Sequence, residues 1–319
     1  MALKKALVLA TACLALCAQA ESGYPNQPIK LIVPFTPGSS SDVTARAVAQ
    51  KISVQLGQPV LIDNKPGANG GIGMQSVARS KPDGYTLVVG TVSSTVVPVI
   101  ISKAVMFDLF TDFTPVATMA NTPLLLTVTQ DSPLTSVADL VAAAKKAPKT
   151  LNYGNSAGLY RIAMEALNHQ ADIDLLGIPF RGPAQAATEL LAGRLTVNPD
   201  ALGAAGPMLQ AKRMRALAVL GTSRTASLPE VPTMVELGYK GFEFNGWLGV
   251  LAPAGTPKPI IDRLHKEISS AVKSPDVQAL YARLGLEPTV LSSQAYGNEM
   301  KKDFDKYESV AKKAGIEKE

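Results

Sequence analysis

Cysteine and histidine are scarce in this 319-residue chain. Both cysteines, Cys13 and Cys17, lie in the first 20 residues, so residues 21–319 offer no disulfide and no thiolate nucleophile. The two histidines, His169 and His265, are far apart in sequence, and no calcium-binding D-x-D-x-D-G loop is present. We therefore expect no metal and no cofactor. Aromatic residues make up only 5% and do not interleave basic ones, which argues against nucleic-acid binding.

Long apolar runs are also lacking, except near the N-terminus. There, two lysines precede an apolar run at 7–16 and the small-residue signal Ala18-Gln19-Ala20. This pattern predicts a secretory signal peptide, residues 1–20, cleaved after Ala20, and a periplasmic protein. The run is too short to span a bilayer core of about 30 Å, and bulky Leu16 disfavours a lipoprotein at Cys17. Removing this segment leaves 29 basic against 26 acidic side chains, a net charge of +3 that suits a small anionic ligand.

Short β-rich runs alternate with Gly-rich turns and amphipathic stretches, which predicts a parallel α/β sheet. Two such sets, without a long linker, predict two lobes. In the helix predicted at 258–274, Ile261, Leu264 and Ile268 form the buried stripe and His265 lies on a solvated flank. Strands are predicted at 29–35, 59–63, 85–90, 124–128, 152–153, 178–180, 215–220 and 246–251, and helices include 42–56, 137–146, 161–168, 184–192, 258–274, 276–284 and 293–314.

The segment Gly154-Asn155-Ser156-Ala157-Gly158 fits the G-x-S-x-G pattern of serine hydrolases. The chain order Ser156, Asp200, His265 also fits an α/β-hydrolase, so a secreted esterase that uses Ser156 is the alternative function. However, no His-Gly-Gly-Gly segment is present to supply an oxyanion hole, and only a very short strand precedes the loop. The pattern alone therefore does not establish a nucleophile.

A second Gly-rich segment, 65–73, resembles the nucleotide-binding turn of short-chain dehydrogenases. That family also requires Tyr-x-x-x-Lys, and no tyrosine here has a lysine four residues later. The segment follows the second predicted strand rather than the first. A tight strand-to-helix turn is the favoured interpretation.

The turn at 36–42 consists of small residues and opens a predicted helix. Free N–H groups and the helix dipole favour an anion at such a terminus. Capping of the helix by Ser41 or Asp42 is the simpler interpretation, and both can hold together.

Nine motifs, in order, resemble the Bug family, the extracytoplasmic solute receptors of tripartite tricarboxylate transporters. The resemblance covers essentially all of the chain after residue 20. The motifs are IVPFTPG with Asp42, DNKPGA with GIG at 71–73, PDGYTL with Gly90-Thr91, DFTPV at 112–116, LNYG at 151–154, PFRG at 179–182, RALAV at 215–219, LPEVPT at 228–233 and APAGTP at 252–257.

The resemblance implies a two-lobed periplasmic binding protein with the type II fold and a ligand cleft between the lobes. Lobe 1 would comprise 24–123 plus about 245–292, and lobe 2 would comprise 124–244. The C-terminal helix, 293–319, is not assigned to either lobe. The implied function is capture of a small carboxylate, without catalysis, by a monomer that delivers it to membrane permease subunits. The implied ligand-binding residues are Thr36, Pro37, Gly38, Ser39, Ser40, Ser41, Asp42, Thr91, Val92, Ser93, Gly154, Asn155, Ser156, Ala157, Gly158, Arg181 and Asp200.

Two departures from the family pattern concern this cleft. Ser39 replaces the usual second glycine of the first loop, and the loop after Tyr153 is about two residues shorter than usual, continuing as Leu159-Tyr160-Arg161. One hypothesis is that Arg161 faces a second anionic group and Tyr160 packs on the ligand body, because guanidinium pairs with carboxylates in a bidentate manner. That would favour a dicarboxylate or an aromatic acid. The alternative is that Arg161 is a surface residue.

Overall fold

The computed structural model describes residues 23–180 and 182–318. The predicted signal peptide and Arg181 lie outside the described residues. The strands are β1 Ile29–Val33, β2 Val60–Asn64, β3 Thr86–Thr91, β4 Phe113–Thr122, β5 Leu124–Thr129, β6 Asn152–Asn155, β7 Leu176–Pro179, β8 Asn198–Ala201, β9 Met214–Val219, β10 Gly246–Pro253 and β11 Glu287–Pro288. The helices are α1 Ser40–Leu56, α2 Gly71–Ala78, α3 Val96–Ile101, α4 Val137–Lys146, α5 Gly158–Ala171, α6 Pro183–Leu191, α7 Leu202–Gln210, α8 Lys258–Val272, α9 Pro275–Arg283 and α10 Ser293–Lys313.

The larger sheet has six strands in the order β11-β4-β10-β3-β1-β2. The predicted parallel pairing holds for β1 with β2 and β3. It is wrong for β10, which is antiparallel to both β3 and β4, and for β11, which is antiparallel to β4. The reason lies in the chain path: β4 carries the chain out of the sheet directly into β5, and β10 brings it back in the opposite direction.

Strand β1 shows why this sheet is buried on both faces. Ile29, Leu31 and Val33 join the core on one face and Ile32 joins the core on the other, while Lys30 is exposed. Covering helices on both faces are typical of α/β sheets. The stripe predicted in α8 is confirmed, because Ile261, Leu264 and Ile268 pack in the same core as Ile29.

The sequence prediction missed β4, although it is the longest strand described. Its sequence, FTPVATMANT, has no clean alternation and contains Pro115. Pro115 pairs with Leu251 next to a register shift between β4 and β10, and an irregular position of this kind is where a sheet tolerates proline.

Two smaller sheets form from the chain between β4 and β10. One is antiparallel in the order β8-β5-β9, and the other is the parallel pair β6-β7. An isolated bridge between Tyr153 and Val197 connects their neighbouring strands. We call the elements around these sheets the smaller-sheet half, and those around the larger sheet the six-stranded half.

Helix α10 contacts both halves. It packs on β4 and α3 of the six-stranded half and on α5 of the smaller-sheet half. The Trp247 indole on β10 donates a 2.9 Å hydrogen bond to Asp303 Oδ2, and the Trp247 ring meets Tyr296 edge-on at 5.0 Å between centroids. Across residues 23–180 and 182–318, no helix has both the length and the hydropathy to cross a membrane.

We predict that Asp303→Ala lowers the free energy of unfolding by about 2 kcal/mol. The Trp247 N–H is buried and would lose its acceptor, and Lys306 would lose one of its two partners, the Asp303 carboxylate at 3.1 Å, keeping the Glu243 carbonyl. Asp303→Asn keeps an acceptor oxygen and should lose less. Urea unfolding followed by circular dichroism measures the effect, with Asp305→Ala, at a more exposed position of the same helix, as the control. Equal stability of native protein and Asp303→Ala would show that α10 is not anchored by this bond.

Candidate binding cleft

A cavity of about 920 Å³ lies between the two halves, large enough for a small organic molecule. It lies where several strands end and helices begin. Within the described part of the chain, no aspartate or glutamate lines it, and one cation does. The six-stranded half contributes Pro34, Phe35, Thr36, Ser40, Ser41, Pro66, Gly67, Asn69, Gly70, Thr91, Val92, Ser93, Val97, Pro98, Ile101, Ser102, Thr122, Gly246, Trp247, Leu248, Arg283, Leu284 and Leu286, and the smaller-sheet half contributes Leu124, Ser156, Ala157, Gly158, Leu159, Tyr160, Gly182, Pro183, Ala201, Gly203 and Ala204.

The loop between β1 and α1 is held from below by Asp42, which is 2% exposed. Its Oδ2 accepts hydrogen bonds from the Gly38 N–H at 2.9 Å and from Arg46 Nε at 3.0 Å, and its Oδ1 accepts one from Asn64 at 2.8 Å. Burial alone would raise the pKa of Asp42, but these hydrogen bonds and the Arg46 charge hold that pKa below its usual value. Asp42 therefore shapes the loop rather than lining the cavity.

Helix α1 begins at Ser40, and its N-cap is Ser39, whose Oγ accepts a hydrogen bond from the Asp42 N–H at 3.2 Å. The prediction that Ser41 or Asp42 is the cap is wrong, because the Asp42 carboxylate folds back onto Gly38 and places Ser39 at the boundary. Thr36, Ser40 and Ser41 line the cavity, whereas Pro37, Gly38 and Ser39 do not.

The turn after β3 also lines the cavity, through Thr91, Val92 and Ser93. Ser94 and Thr95, both fully buried, fix its shape. Ser94 Oγ accepts from the Thr91 N–H at 3.1 Å, and Thr95 Oγ1 donates to the Thr91 carbonyl at 2.6 Å. The hydroxyl-bearing residues of this turn are thus held against the cleft by a compact network.

The loop between β6 and α5 brings Ser156, Ala157, Gly158 and Tyr160 to the cavity, while Gly154 and Asn155 lie behind it. A Cβ on Gly154 would lie 2.2 Å from Asn198 Oδ1, which accounts for glycine there. A Cβ on Gly158 would lie 2.4 Å from Val97 Cγ1 on α3 of the other half. Glycine therefore allows the start of α5 to approach the six-stranded half closely.

Buried polar groups lie beneath this second loop. Asp200 is 1% exposed and accepts a 2.7 Å hydrogen bond from Thr127. Its other oxygen, Ser156 Oγ and the Asn198 amide find no hydrogen-bond partner within the described residues. Burial raises the pKa of Asp200, and burial together with the Asp200 charge raises the pKa of Tyr160. Asp200 thus stands behind the cavity and does not line it.

Arg161 lies on α5, is half-buried, and is not among the cavity-lining residues. Its proposed contact with a second anionic group stays a prediction. Arg181 lies outside the described residues, although its neighbour Gly182 lines the cavity.

Sequence reasoning missed three parts of the lining. The sequence predicts only a structural role for the turn Pro66–Gly70 and none for Trp247, and nothing in it marks Arg283. Useful signals existed for the first two, because the turn follows a parallel strand and Trp247 is the single tryptophan. Arg283 ends an ordinary amphipathic helix and carried no signal.

The hydrolase alternative finds no support in this geometry. Neither His169 nor His265 lines the cavity, and Ser156 has no hydrogen bond to a base among the described residues. His265 was predicted to be solvated, which is wrong: it is half-buried on α8 with Nε2 enclosed, because the helix packs closely on the six-stranded half. Within the described residues, no group of three or more potential ligands could hold a metal ion.

Two α/β halves that enclose a cleft at helix N-termini define a two-lobed solute-binding protein. A family model described as tripartite tricarboxylate transporter family receptor matches residues 44–316, and the chain belongs to this family. Protein BugT of Bordetella pertussis is 31% identical over 312 residues, which span 97% of this chain and 95% of BugT. The resemblance to the Bug family is therefore confirmed.

Solved structures agree with this assignment. The R. palustris protein Rpa4515 with adipate is 34% identical, has a TM-score of 0.82, and is aligned over 93% of this chain and 100% of that one. MatC from Rhodopseudomonas palustris with bound malate is 28% identical, with a TM-score of 0.77 over 90% of this chain and 99% of that one. The predicted two-lobed fold is confirmed.

We predict that Asp42→Ala lowers the free energy of unfolding by about 2 kcal/mol at pH 7, because the Gly38 N–H and the Asn64 amide lose a buried, charged acceptor. The lowered pKa means that the ionised carboxylate stabilises the fold above its unfolded pKa of about 3.9, and that this contribution is lost as pH falls. The stability gap to Asp42→Asn should therefore shrink between pH 7 and pH 3 in urea unfolding. A gap independent of pH would contradict this role.

The contribution of Asp200 to stability should show the opposite dependence on pH. Its raised pKa means that its contribution to stability is complete below about pH 4, the unfolded value, and is lost as pH rises through the folded pKa. We predict that Asp200→Asn gains stability relative to native protein between pH 4 and pH 8. Asp139→Asn is the matched control. Its stability should depend on pH with the opposite sign, because hydrogen bonds from Thr135 lower the pKa of Asp139. The same trend in both variants would refute the assignment.

Proposed function

We propose that this protein is a periplasmic receptor that captures a small carboxylate between its two lobes for uptake by tripartite tricarboxylate transporter permease subunits. The observation that carries the proposal is the chemistry of the cleft. Its polar lining consists of hydroxyls, an amide, the N-termini of α1 and α5, and one arginine, with no acidic side chain among the described residues. Such a surface favours an anion.

The relatives support a carboxylate in particular. Rpa4515 was solved with adipate and MatC with malate, and both align with nearly all of this chain. We propose that Thr36, Ser40, Ser41, Thr91, Ser93 and Ser156 donate to a carboxylate of the ligand, and that the Gly158 N–H assists. Val92, Ala157 and Tyr160 contact its body. Seven of the other predicted residues, Pro37, Gly38, Ser39, Asp42, Gly154, Asn155 and Asp200, shape these loops.

The proposed lobes are 24–123 with about 245–292, and 124–244. The division of strands between the two halves supports these boundaries, and α10 contacts both. Closure of the lobes over the ligand would present the state that the permease recognises. We further propose export with cleavage after Ala20, a monomeric state, and binding without chemical conversion of the ligand. The absence of a histidine from the described lining supports the last point.

A ligand panel tests the proposal. Trp247 is the single tryptophan and lines the cavity, so its fluorescence should report binding directly. We expect one class in a panel of aliphatic and aromatic mono-, di- and tricarboxylates to change this emission. At about 1,000 times its Kd, the ligand should add about 4 kcal/mol of stability and raise the Tm of residues 21–319 by several degrees.

Ser156→Ala should weaken binding, and native protein should hydrolyse no ester. Folded, ligand-free protein that responds to no carboxylate would overturn the proposal. Ester turnover that Ser156→Ala abolishes would instead establish the hydrolase.

A further inference from the structure

We propose that Asp200 takes up a proton when an anion binds in the cleft, so that the protein captures the anion and a proton together. This inference rests on the proposed function, because it requires an anion in the cavity. The proton adds to the Asp200 carboxylate from the solvent, and no bond of the bound molecule is made or broken. Asp200 does not line the cavity, so its charge acts on the ligand from behind the second loop.

The Asp200 carboxylate is enclosed with few groups to stabilise its charge. It is 1% exposed, and one oxygen accepts a hydrogen bond from Thr127 at 2.7 Å. The other oxygen has no hydrogen-bond partner among the described residues, and neither do Ser156 Oγ and the Asn198 amide. Burial outweighs the opposing effects of Thr127 and Asn198 and raises the pKa of the carboxyl. A proton on the unpartnered oxygen would remove a buried charge and make that oxygen a donor.

Two residues connect this carboxylate to the cavity. Ala201, the next residue along β8, lines the cavity, and so does Tyr160 in the first turn of α5. The charge of Asp200 and a backbone hydrogen bond from Ala201 both affect the pKa of the Tyr160 phenol, which therefore lies beside Asp200. A ligand that contacts Tyr160 is thus separated from the carboxylate by one layer of protein.

Elements β5, β6, α5, α6 and α7 pack against β8, and β5 and α7 carry no charged residue. The charged and titratable groups on the other three are Tyr153, Tyr160, Arg161, Glu165, His169 and Glu189. Arg161 and Glu165 act on Tyr153. Glu189 pairs with Arg194, and His169 lies in the last turn of α5. Among the described residues no cation contributes to the pKa of Asp200, so its charge has no counter-ion there.

An anion in the cavity adds a like charge near this buried carboxylate. Two negative charges in a medium of low dielectric constant repel each other, and a proton on the carboxylate removes that repulsion. Water is excluded at this end of β8, because its backbone meets the other half: a Cβ on Gly203 would collide with the Leu284 carbonyl oxygen. The bound anion therefore raises the proton affinity of Asp200, and by linkage the proton raises the affinity for the anion by the same factor.

The affinity for the anion should therefore depend on pH. Below the pKa of Asp200 in the free protein, the carboxyl is already protonated and the affinity is constant. The affinity falls as pH rises from that pKa to the higher pKa of the complex, and it is constant again above. Because the pKa in the free protein lies above the usual value of about 3.9, we expect the fall between about pH 5 and pH 8.

Calorimetric titration tests the uptake of the proton, with adipate, hexanoate and benzoate as probes. Heats of binding measured at one pH in MES and in imidazole, which release protons with different heats, give the number of protons taken up. We expect native protein to take up part of one proton per anion near pH 6.5, and Asp200→Asn to take up none. Asp139→Asn, a carboxylate variant outside the cleft, should behave as native protein does.

Trp247 fluorescence gives the affinity at each pH. From pH 5 to pH 8 the affinity of native protein should fall about tenfold more than that of Asp200→Asn, since ionisation of the ligand itself is common to both. Thr127→Val removes the hydrogen bond that favours the ionised carboxylate. It should therefore keep the proton uptake and move the fall in affinity to higher pH.

Each other outcome decides against the inference. If native protein binds a probe with no proton uptake, or with the same uptake as Asp200→Asn, the inference is wrong and the proposed function stands. Loss of binding in Asp200→Asn would also overturn it, because a neutral side chain should bind the anion at least as tightly. A Thr127→Val profile that moves to lower pH would contradict the role of Asp200. If native protein binds no carboxylate at all, the proposed function fails and this inference fails with it.

Discussion

The hydrogen bond from Trp247 to Asp303 joins the parts of this molecule that the cleft depends on. Trp247 lies on the strand that returns the chain to the larger sheet, and it lines the cavity. Asp303 lies on the C-terminal helix, which contacts both halves. The cleft wall, the returning strand and the bridging helix therefore share one buried polar contact, in surroundings where leaving the indole N–H unpaired would be costly.

Charge is distributed in the cleft by a consistent rule. Two carboxylates beside the cleft loops, Asp42 and Asp200, are buried and do not line the cavity. The Asp42 carboxylate accepts hydrogen bonds from the chain itself. Backbone N–H groups and hydroxyls therefore form the polar surface that a ligand meets in the cavity. Opposite pKa shifts in the two carboxylates follow from their surroundings: Asp42 has a cation and several donors, and Asp200 has mainly burial.

The sequence predicted the parts of the fold that repeat a simple period. The α8 stripe and the first three strands could be predicted because burial on one or both faces leaves a regular pattern. Strand β4 could not, since its proline sits at an irregular pairing that only the partner strand reveals. The cleft loops were found through their family motifs, but which of their residues face the cavity was not predictable, because a carboxylate such as Asp42 can bind a ligand or its own backbone. Arg283 became visible only when the order of strands brought the end of α9 to the cleft.

The contact between Gly203 and Gly285 has a consequence for the size of the molecule that can be enclosed. Neither residue has a side chain, and backbone of one half lies directly against backbone of the other: a Cβ on Gly203 would lie 2.0 Å from the Leu284 carbonyl oxygen, and one on Gly285 would lie 2.5 Å from the Gly203 nitrogen. A bound molecule that holds the halves further apart would separate these two backbone segments. We therefore expect the glycine pair to limit how bulky a molecule the cleft can enclose with this contact intact, whatever the chemistry of that molecule.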